Sequence, residues 1–447
     1  MSFFEYIGGD TRGYPPPNRV YAWVDALPAA TGEPFTRLDC VDADWADEQP
    51  RGLSLCEPHS AKDAERRVSM MLWREPARRS RERRTLDMLW GDLTSRQREG
   101  RILEMRLRDA GPGEQPDVFH YLNLWAPPIP RTVEAVHWPK PRSEQAKRIA
   151  ALTRIGPEDA SEQEIREALE MVASEVDAVA VYDVGQGSCS ALVAGGAVQL
   201  YFDVGGGALA DAQTFPAKFT GICTTARPPI VLSHWHFDHW SLAKRFAGQG
   251  PSGELLARTW IVPRQKQLRP SAATLLGLIR SHGDALIRSP GAPTMRVGAI
   301  SLHSCVGRNM NDSGVAMVVH GGDGRTILLP GDARYKHIVD RPRCVTSLVA
   351  AHHGGHTGAV ASEIPLPDGR AAGRLVFSCG FENSYHHPLE RSSSAHSKVW
   401  PGVRPMLTSE RGKGESPEHI HLYWDQPQPS VGVGCGGSIC SLAPSRR

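Results

Sequence analysis

Short apolar runs separated by glycines dominate the chain from Ala178 onward. Each run has the length and the β-branched or aromatic content of a strand, and the clearest are AVAVYDVG, SALVAG, AVQLYFDVGGG, PPIVLSHWH, TWIVP, AISLHSCVG, GVAMVVHG, RTILLPGD, TSLVAAHH and RLVFSCG. Between these runs, residues 238–246, 272–279 and 388–399 have the composition of helices. Strands with helices packed on their outer faces predict a layered α/β sandwich.

Residues 1 to about 170 show a different pattern and predict a separate domain. The chain has 447 residues, whereas single cores stop growing near ~250 to 300 residues, so we expect one domain at 1–170 and another at 171–447. Leu86, Leu89, Trp90 and Leu93 have helical spacing, while ILEMRLRD and VFHYLNLW resemble strands. The first domain is therefore expected to be α+β, and a capped helix from Ser161 is expected to bridge the two domains.

The composition of the chain does not require any particular class of partner. Hydrophobic residues make up 40% of the chain and the net charge is +2, so neither a nucleic acid nor a membrane is required. The cysteines form no C-x-x-C pair, which favours a reducing compartment. No stretch approaches ~18 consecutive apolar residues, and the start of the sequence lacks a secretory pattern. We expect a cytoplasmic protein without membrane insertion.

Arginine is concentrated between Arg66 and Arg108, where thirteen arginines accompany six acidic residues. A region of this kind could contact phosphate groups. Because acidic residues are interspersed and accessible aromatic residues are not interleaved, the pattern favours a solvated, salt-bridged surface over a nucleic-acid site.

The segment SHWHFDH at 233–239 places three histidines and an aspartate directly after the apolar run PPIVL. At the end of a strand, His234 and His236 point to the same side because side chains alternate with a period of two. Asp238 and His239 follow where a helix can begin, and they can serve a neighbouring ion. Imidazole and carboxylate groups bind zinc, manganese or iron with positions left for water. The spacing therefore predicts a site for two metal ions.

A site for two ions needs a bridging carboxylate and ligands from other strands, because the ions lie about 3.5 to 4 Å apart. Asp332 follows a strand and a Pro-Gly turn in LLPGDAR, which favours a bridging role. His352 and His353 follow the apolar run LVAA and precede two glycines that allow close approach of the backbone. One of these histidines would complete the second ion's ligands, and the alternation of side chains does not decide which.

Two aspartates before glycine-rich turns leave alternatives open. Asp203 in LYFDVGGG either orients a ligating histidine from behind or starts an ordinary turn. Asp183 in YDVGQGS presents the same choice. The turn beside Gln186 and Ser188 could bind a phosphate through its backbone N–H groups.

Together these motifs resemble the metallo-β-lactamase fold superfamily, whose pattern is H-x-H-x-D-H followed by a later aspartate and histidine. Within it, the chain is most similar to the soluble hydrolase domain of ComEC-type DNA-uptake proteins. The resemblance spans Val179 to Trp424 and rests on DVGQGS at 183–188, FDVGGG at 202–207, SHWHFDH, NDS at 311–313, LPGD, AHHGG and NSYHHP at 383–388. It implies an αββα sandwich of the metallo-β-lactamase type, to which the N-terminal α+β domain is an addition.

The resemblance also implies a role for each matching residue. His234 and His236 would bind the first ion and Asp238 and His239 the second, while Asp332 would bridge them and His352 or His353 would complete the second site. Asp238 would also orient the nucleophile. His387 would face the substrate as ligand, electrophile or proton donor, unless His386 and His387 only form a loop before a helix at Pro388. Residues expected behind the ligands or against the substrate are Asp183, Gln186, Asp203, Asn311, Asp312, Asn383 and His386.

One position departs from the superfamily pattern. Many members carry a histidine before the strand that corresponds to GVAMVV, whereas this chain has Asn311 and Asp312 there. Without that imidazole, the first ion has fewer nitrogen ligands, which adds Mn²⁺ to Zn²⁺ as a candidate. The expected cofactors are two divalent metal ions, either Zn²⁺ or Mn²⁺.

The function implied by the resemblance is metal-dependent hydrolysis. The first choice is a phosphodiesterase or nuclease acting on DNA, single-stranded DNA included, through a metal-activated hydroxide. One alternative is a hydrolase of a small or cyclic nucleotide or another small phosphorylated substrate, and another is a non-catalytic partner-binding module on the same fold. The expected partners are a nucleic acid or nucleotide substrate and a protein bound through the N-terminal domain.

Overall fold

The computed structural model describes residues 15–26, 35–74, 100–140, 142–172, 174–246, 251–266, 268–356, 359–370, 373–412 and 416–424. The chain forms two compact units. The first unit is Met1–Gly156 with Lys266–Ser281, and the second unit is Pro157–Gln265 with His282–Arg447. This division differs from a single boundary near residue 170, because the first unit ends earlier and also takes a segment from the middle of the second unit's sequence.

Within its described residues, the first unit contains a closed barrel of six antiparallel strands. The strands are β1 (Arg19–Ala26), β2 (Phe35–Asp42), β3 (Val68–Arg74), β4 (Ile102–Asp109), β5 (Val118–Tyr121) and β6 (Ile129–His137), in the order β1-β2-β3-β5-β6-β4. Alternate residues such as Val20, Leu38 and Met71 pack in its core. The short helices are α1 (Ala43–Glu48), α2 (Pro58–Ala64) and α3 (Glu144–Leu152). The expected α+β domain is thus built around a barrel, and the helix expected at Leu86–Leu93 lies outside the described residues.

A helix from the middle of the sequence, Pro270–His282, packs within the first unit. Its residues from Pro270 to Ile279 are all buried. The Ser271 amide donates to Asp39 at 3.1 Å, and a Cβ on Gly277 would lie 2.4 Å from the Leu55 carbonyl oxygen. Residues 272–279, expected as a helix of the sandwich, are therefore helical but belong to the first unit. The Asp39 contact and the absence of a side chain at Gly277 instead fit this helix to the first unit.

The burial of Asp39 makes the stability of the first unit depend on pH. Burial raises the pKa of Asp39 to about 7, and the neighbouring Asp25 adds to the effect. A carboxyl whose folded pKa exceeds its unfolded value, about 3.9, stabilises the fold below that value and loses this contribution as pH rises through the folded pKa. Between about pH 4 and pH 7, the unfolding free energy of the wild type should therefore fall relative to that of Asp39→Asn.

Denaturant unfolding of both proteins at about pH 5 and about pH 7.5 measures this effect. The nearby charged groups are the same in both proteins, namely Asp25, Arg37 and Arg269. A stability difference between wild type and Asp39→Asn that is the same at both pH values would contradict the assignment.

The second unit contains two sheets that pack face to face. In the described residues, the first sheet runs in the order β12-β11-β10-β9-β8-β7-β22. Its strands are β7 (Ala178–Val181), β8 (Cys189–Ala194), β9 (Ala197–Val204), β10 (Ile230–Val231), β11 (Thr259–Pro263), β12 (Asp284–Arg288) and β22 (Ile420–Tyr423). The other sheet runs β13-β14-β15-β16-β18-β20-β21. Its strands are β13 (Met295–Val297), β14 (Ile300–Ser304), β15 (Val315–His320), β16 (Thr326–Leu329), β18 (Ser347–Val349), β20 (Arg374–Phe377) and β21 (Met406–Leu407), and β17 (Cys344–Val345) pairs separately with β19 (Leu366–Pro367).

One core joins the two sheets and helices cover them. Val179 and Phe202 of the first sheet share this core with Met317 and Leu329 of the second. The helices of this unit are α4 (Glu162–Glu170), α5 (Ser241–Arg245) and α7 (Glu390–Val399), with the Pro270–His282 helix of the first unit numbered α6. Helix α4 has a capping box at Ser161 and packs into the sandwich core, and α7 packs on the other face of the second sheet. This is the layered sandwich that the strand runs predict. Among the described residues, no helix combines the length and apolar character needed to cross a bilayer.

Strand direction places the predicted ligands at one edge of the sandwich. Strands β9 and β10 are parallel, as are β16, β18 and β20. Parallel neighbours end at the same sheet edge, where ligand-binding loops commonly lie. The histidine segment follows β10, Asp332 follows β16, the paired histidines follow β18, and the loop of His387 follows β20.

Candidate metal centre

The first group of candidate ligands is His234, His236 and Asp332. One ligand atom from each lies within 4.8 Å of the others, and all three residues are buried. His234 Nε2 is 3.1 Å from His236 Nδ1 and 3.5 Å from Asp332 Oδ2. This arrangement brings together two histidines of the strand-end segment and an aspartate almost a hundred residues later.

The second group is Asp238, His239 and His353, whose ligand atoms also lie within 4.8 Å of one another. His353 Nε2 is 3.4 Å from Asp238 Oδ2. Its neighbour His352 belongs to neither group: its side chain is 27% exposed and its Nε2 lies 3.5 Å from Asp332 Oδ2. Of the two histidines that the sequence left open, the structure therefore brings His353 into the second group.

The carboxylate of Asp332 lies between the two groups. Its Oδ2 faces His234, while its Oδ1 is 3.1 Å from His239 Nε2 and 3.7 Å from His353 Nε2. One carboxylate thus reaches the candidate ligands of both ions. This is the position that a bridging ligand requires.

Several candidate ligand atoms lack the partners that buried polar atoms normally have, and a bound cation would supply them. His239 Nε2, His353 Nε2 and Asp332 Oδ1 are buried and make no hydrogen bond. Buried polar atoms are rarely left without a partner, because losing the bonds to water costs free energy. A divalent cation would satisfy all three, and a set of imidazoles and carboxylates suits Zn²⁺ or Mn²⁺. The residues present therefore fit two divalent ions.

The carboxylates and His234 have the protonation states that metal binding needs, whereas His239 and His353 would exchange a proton for a metal: burial would lower their pKa, but the facing carboxylates raise it. Burial alone would raise the pKa of Asp332, but the imidazoles around it lower that pKa well below its usual value. Burial would also raise the pKa of Asp238, but the imidazoles of His353 and His239 beside it lower that pKa well below its usual value. Burial lowers the pKa of His234. Near pH 7 the carboxylates are ionised and His234 is neutral, as metal ligands must be.

Asp203 supports the ligands from behind. Its Oδ2 accepts a 2.7 Å hydrogen bond from His239 Nδ1, and its Oδ1 accepts one of 2.7 Å from the Ser233 amide. The proton on His239 Nδ1 leaves the Nε2 lone pair facing Asp332 and the candidate ion. Asp203 therefore fixes the ring of one ligand and the backbone at the start of the histidine segment, which is the orienting role left open by the sequence.

Replacing Asp203 by asparagine should weaken metal binding without removing a ligand. Loss of a carboxylate that orients a ligating histidine typically lowers affinity about 10- to 100-fold. Titration of Zn²⁺ or Mn²⁺ into chelator-treated protein measures the change. Asp177→Asn is a suitable control, because Asp177 accepts only a loop amide from Gly195 at 2.7 Å. Equal affinities of Asp203→Asn and wild type would rule out the orienting role.

Three of the other predicted residues hold loops, and a fourth, His386, also joins neither ligand group. Asp183 accepts from the Glu418 amide at 3.1 Å, and Asp312 accepts from the Arg334 amide at 2.8 Å. Asn383 braces its own loop by accepting from the His387 amide and donating to carbonyls. His386 is exposed.

Asn311 lies in the loop that precedes β15, and its Oδ1 is buried without a hydrogen bond. This loop runs against the histidine segment: a Cβ on Gly314 would lie 1.9 Å from the Ser233 carbonyl oxygen.

The sequence pattern did not identify the residue that connects this loop to the histidine segment. Gln265 accepts from the Trp235 amide at 3.3 Å and donates to the Met310 carbonyl at 2.6 Å. The sequence signal that could have located Gln265 is a polar residue shortly after the apolar run TWIVP.

Several solved structures are similar to this chain at low identity. No known family model matches the chain, and no curated protein gives a significant match. The metallo-β-lactamase fold protein YhfI from Bacillus subtilis is 13% identical, with a TM-score of 0.32 over 54% of this chain and 99% of that protein. An N-acyl homoserine lactone hydrolase with N-hexanoyl-L-homoserine at its catalytic metal centre is 14% identical, with a TM-score of 0.24 over 53% of this chain and 93% of that one. A metallo-β-lactamase from Cronobacter sakazakii is 16% identical, with a TM-score of 0.21 over 33% of this chain and 60% of that one. With TM-scores this low, the proposal below rests on the site and on the motifs.

Proposed function

We propose that this protein is a metal-dependent hydrolase of the metallo-β-lactamase type that cleaves phosphodiester bonds, with a nucleic acid as its substrate. The observation that supports this most strongly is the position of the Asp332 carboxylate, which reaches both groups of candidate ligands. Two divalent ions bound there would supply Lewis acidity and a water of lowered pKa, the chemistry that many phosphodiesterases and nucleases use. The choice of phosphodiesters comes from the resemblance of the motifs to ComEC-type hydrolase domains.

The side chains around the ions would have different roles. His234, His236 and Asp332 would hold the first ion, and Asp238, His239 and His353 would hold the second, with Asp332 shared. Asp238 stays ionised because its pKa lies well below its usual value. Its side chain is 15% exposed, more than the 2% of Asp332, so its carboxylate can also accept a hydrogen bond from the attacking water and orient it.

Four of the six described arginines of the 66–108 region have partners within the protein. Arg67 and Arg108 form ion pairs, and Arg74 and Arg101 lie over aromatic rings. Seven of the thirteen arginines fall in residues 75–99, outside the described residues. We assign substrate binding first to the metal centre.

Turnover of bis-p-nitrophenyl phosphate and of labelled single-stranded DNA by the full chain tests the proposal. Activity should require added Zn²⁺ or Mn²⁺, and Asp238→Ala and His236→Ala should each lower kcat by at least about 10²-fold, as when one electrostatic group at a reacting centre is removed. His320→Ala is the matched control, because His320 bonds to Ser301 within the second sheet. The proposal fails if wild type, both site variants and the control turn over phosphodiesters equally, or if none does.

A further inference from the structure

The side chain of Gln186 lies between the backbone of Gly380 and the ring of His387. Gln186 is 2% exposed. Its Oε1 accepts from the Gly380 amide at 3.2 Å, and its Nε2 lies 3.2 Å from His387 Nδ1. Its own amide donates to Thr214 Oγ1 at 2.8 Å. The amide group of Gln186 therefore has one defined neighbour on each side.

These contacts fix the orientation of the Gln186 amide. The Gly380 backbone N–H can only donate, so the group facing it must be the oxygen. The opposite orientation would place the NH₂ group against a second donor and leave both without an acceptor. The two loops pack closely here, since a Cβ on Gly380 would lie 2.6 Å from Thr214 Cβ and 2.8 Å from the Gln186 amide nitrogen.

The orientation of Gln186 in turn fixes the tautomer of His387. The NH₂ group has hydrogens and no lone pair to offer, so His387 Nδ1 must accept and carry no proton. In a neutral imidazole the remaining proton is then on Nε2. This Nε2 points at the turn that carries the paired histidines: it lies 2.9 Å from where a Cβ on Gly355 would be, and the ring centroid is 5.4 Å from that of His352.

The candidate metal ligands His239 and His353 instead have hydrogen-bond acceptors at Nδ1. His239 Nδ1 faces the carboxylate of Asp203, and His353 Nδ1 lies 2.7 Å from the Ser378 carbonyl oxygen. Both partners are acceptors, so both Nδ1 atoms are protonated and both Nε2 lone pairs are available to a metal. His387 alone of these three histidines has a donor at Nδ1.

We propose that Gln186 is a positioning residue that sets His387 as a hydrogen-bond donor to the substrate and prevents it from acting as an additional metal ligand through Nε2. The inference rests on the proposed function, because it assigns a role at the same site. Nε2–H of His387 would donate to an oxygen of the phosphodiester that becomes more negative as the bond breaks. Gln186 belongs to neither ligand group and would act through the ring of His387.

Spectra of the histidine ring nitrogens test the tautomer directly. Full-length protein labelled with ¹⁵N in its histidine rings gives a distinct pattern for each tautomer, and His387→Gln identifies the signals of His387. We expect a protonated Nε2 and an unprotonated Nδ1 on His387, with and without added Zn²⁺. Gln186→Glu should move the proton to Nδ1, because a carboxylate accepts and cannot donate. A protonated Nδ1 in the wild type, or a His387 Nε2 signal that shifts as a metal ligand, would overturn the inference.

Kinetics test whether the tautomer matters for turnover. Gln186→Met removes the donor and allows both tautomers, so kcat should fall about 10-fold with KM little changed, less than the 10²- to 10³-fold lost when such a donor is removed altogether. In the His387→Gln background the same change should have no further effect, since the two residues act as one unit. Gln199→Glu is the control, because the side-chain amide of Gln199 donates to the Ala194 carbonyl in the first sheet. Additive losses in the double variant would contradict the coupling. If the wild type cleaves no phosphodiester, the proposed function fails, while the ring-nitrogen spectra still decide the tautomer.

Discussion

Replacing Asp332 by asparagine is expected to lower the bound metal from two ions to one or none, and to reduce turnover by about 10³-fold. The reason is that its two oxygens face different groups, Oδ2 towards His234 at 3.5 Å and Oδ1 towards His239 at 3.1 Å. An amide keeps the shape but loses the negative charge and offers a single oxygen. The loss in turnover is of the order seen when an electrostatic group at a reacting centre is removed.

Metal analysis of purified protein and phosphodiester turnover measure both effects for Asp332→Asn. Asp368→Asn is the control, because Asp368 accepts from Thr346 Oγ1 and from the Arg370 amide, and belongs to neither ligand group. Retention of two ions per chain by Asp332→Asn would show that the carboxylate does not bridge.

Replacing Gly205 by alanine should displace the loop that carries Asp238 and His239. A Cβ on Gly205 would lie 1.6 Å from the Asp238 carbonyl oxygen and 2.6 Å from the His239 Cα. No rotation of a side chain can relieve this contact, because the atoms it meets are backbone. Overpacking of this kind costs about 1 to 3 kcal/mol, occasionally more, and moving the backbone of two ligands should also abolish binding of the second ion.

Thermal unfolding and metal titration of Gly205→Ala check this prediction. Gly322→Ala is the matched control within the same unit, because a Cβ there meets only the far end of the Arg325 side chain at 3.8 Å. If Gly205→Ala bound two ions with wild-type affinity, the close packing of these loops would have no part in forming the site.

The sequence was most informative where structure is local. The apolar runs predicted the strands of the sandwich because buried strands need continuous β-branched and aromatic residues. The ligands could be located because they follow those runs directly, and parallel strands deliver them to one edge. The Gly-Gly-Asp-Gly sequence at 321–324 is typical of a turn, and β15 and β16 form a hairpin there, where Asp323 has a φ of 59°.

The features that escaped prediction depend on backbone geometry or on distant contacts. His352 and His353 have φ of 52° and 54°, so the alternation of side chains along a strand does not apply to them. The barrel closes through pairing of β1 with β4, strands some eighty residues apart. Helix α6 packs in the first unit through Asp39, which is 232 residues from Ser271. The hydrogen-bond donor to His387 Nδ1 is the side-chain amide of Gln186, which is 201 residues away in the sequence.

An anomalous X-ray difference map of crystals grown with Zn²⁺ or Mn²⁺ tests the central claim most directly. Two peaks about 3.5 to 4 Å apart are predicted, one among His234, His236 and Asp332 and the other among Asp238, His239 and His353, with the Asp332 carboxylate between them. Either no peak at these residues, or a single ion that leaves one of the two groups without metal at saturating concentration, would contradict a two-ion hydrolase.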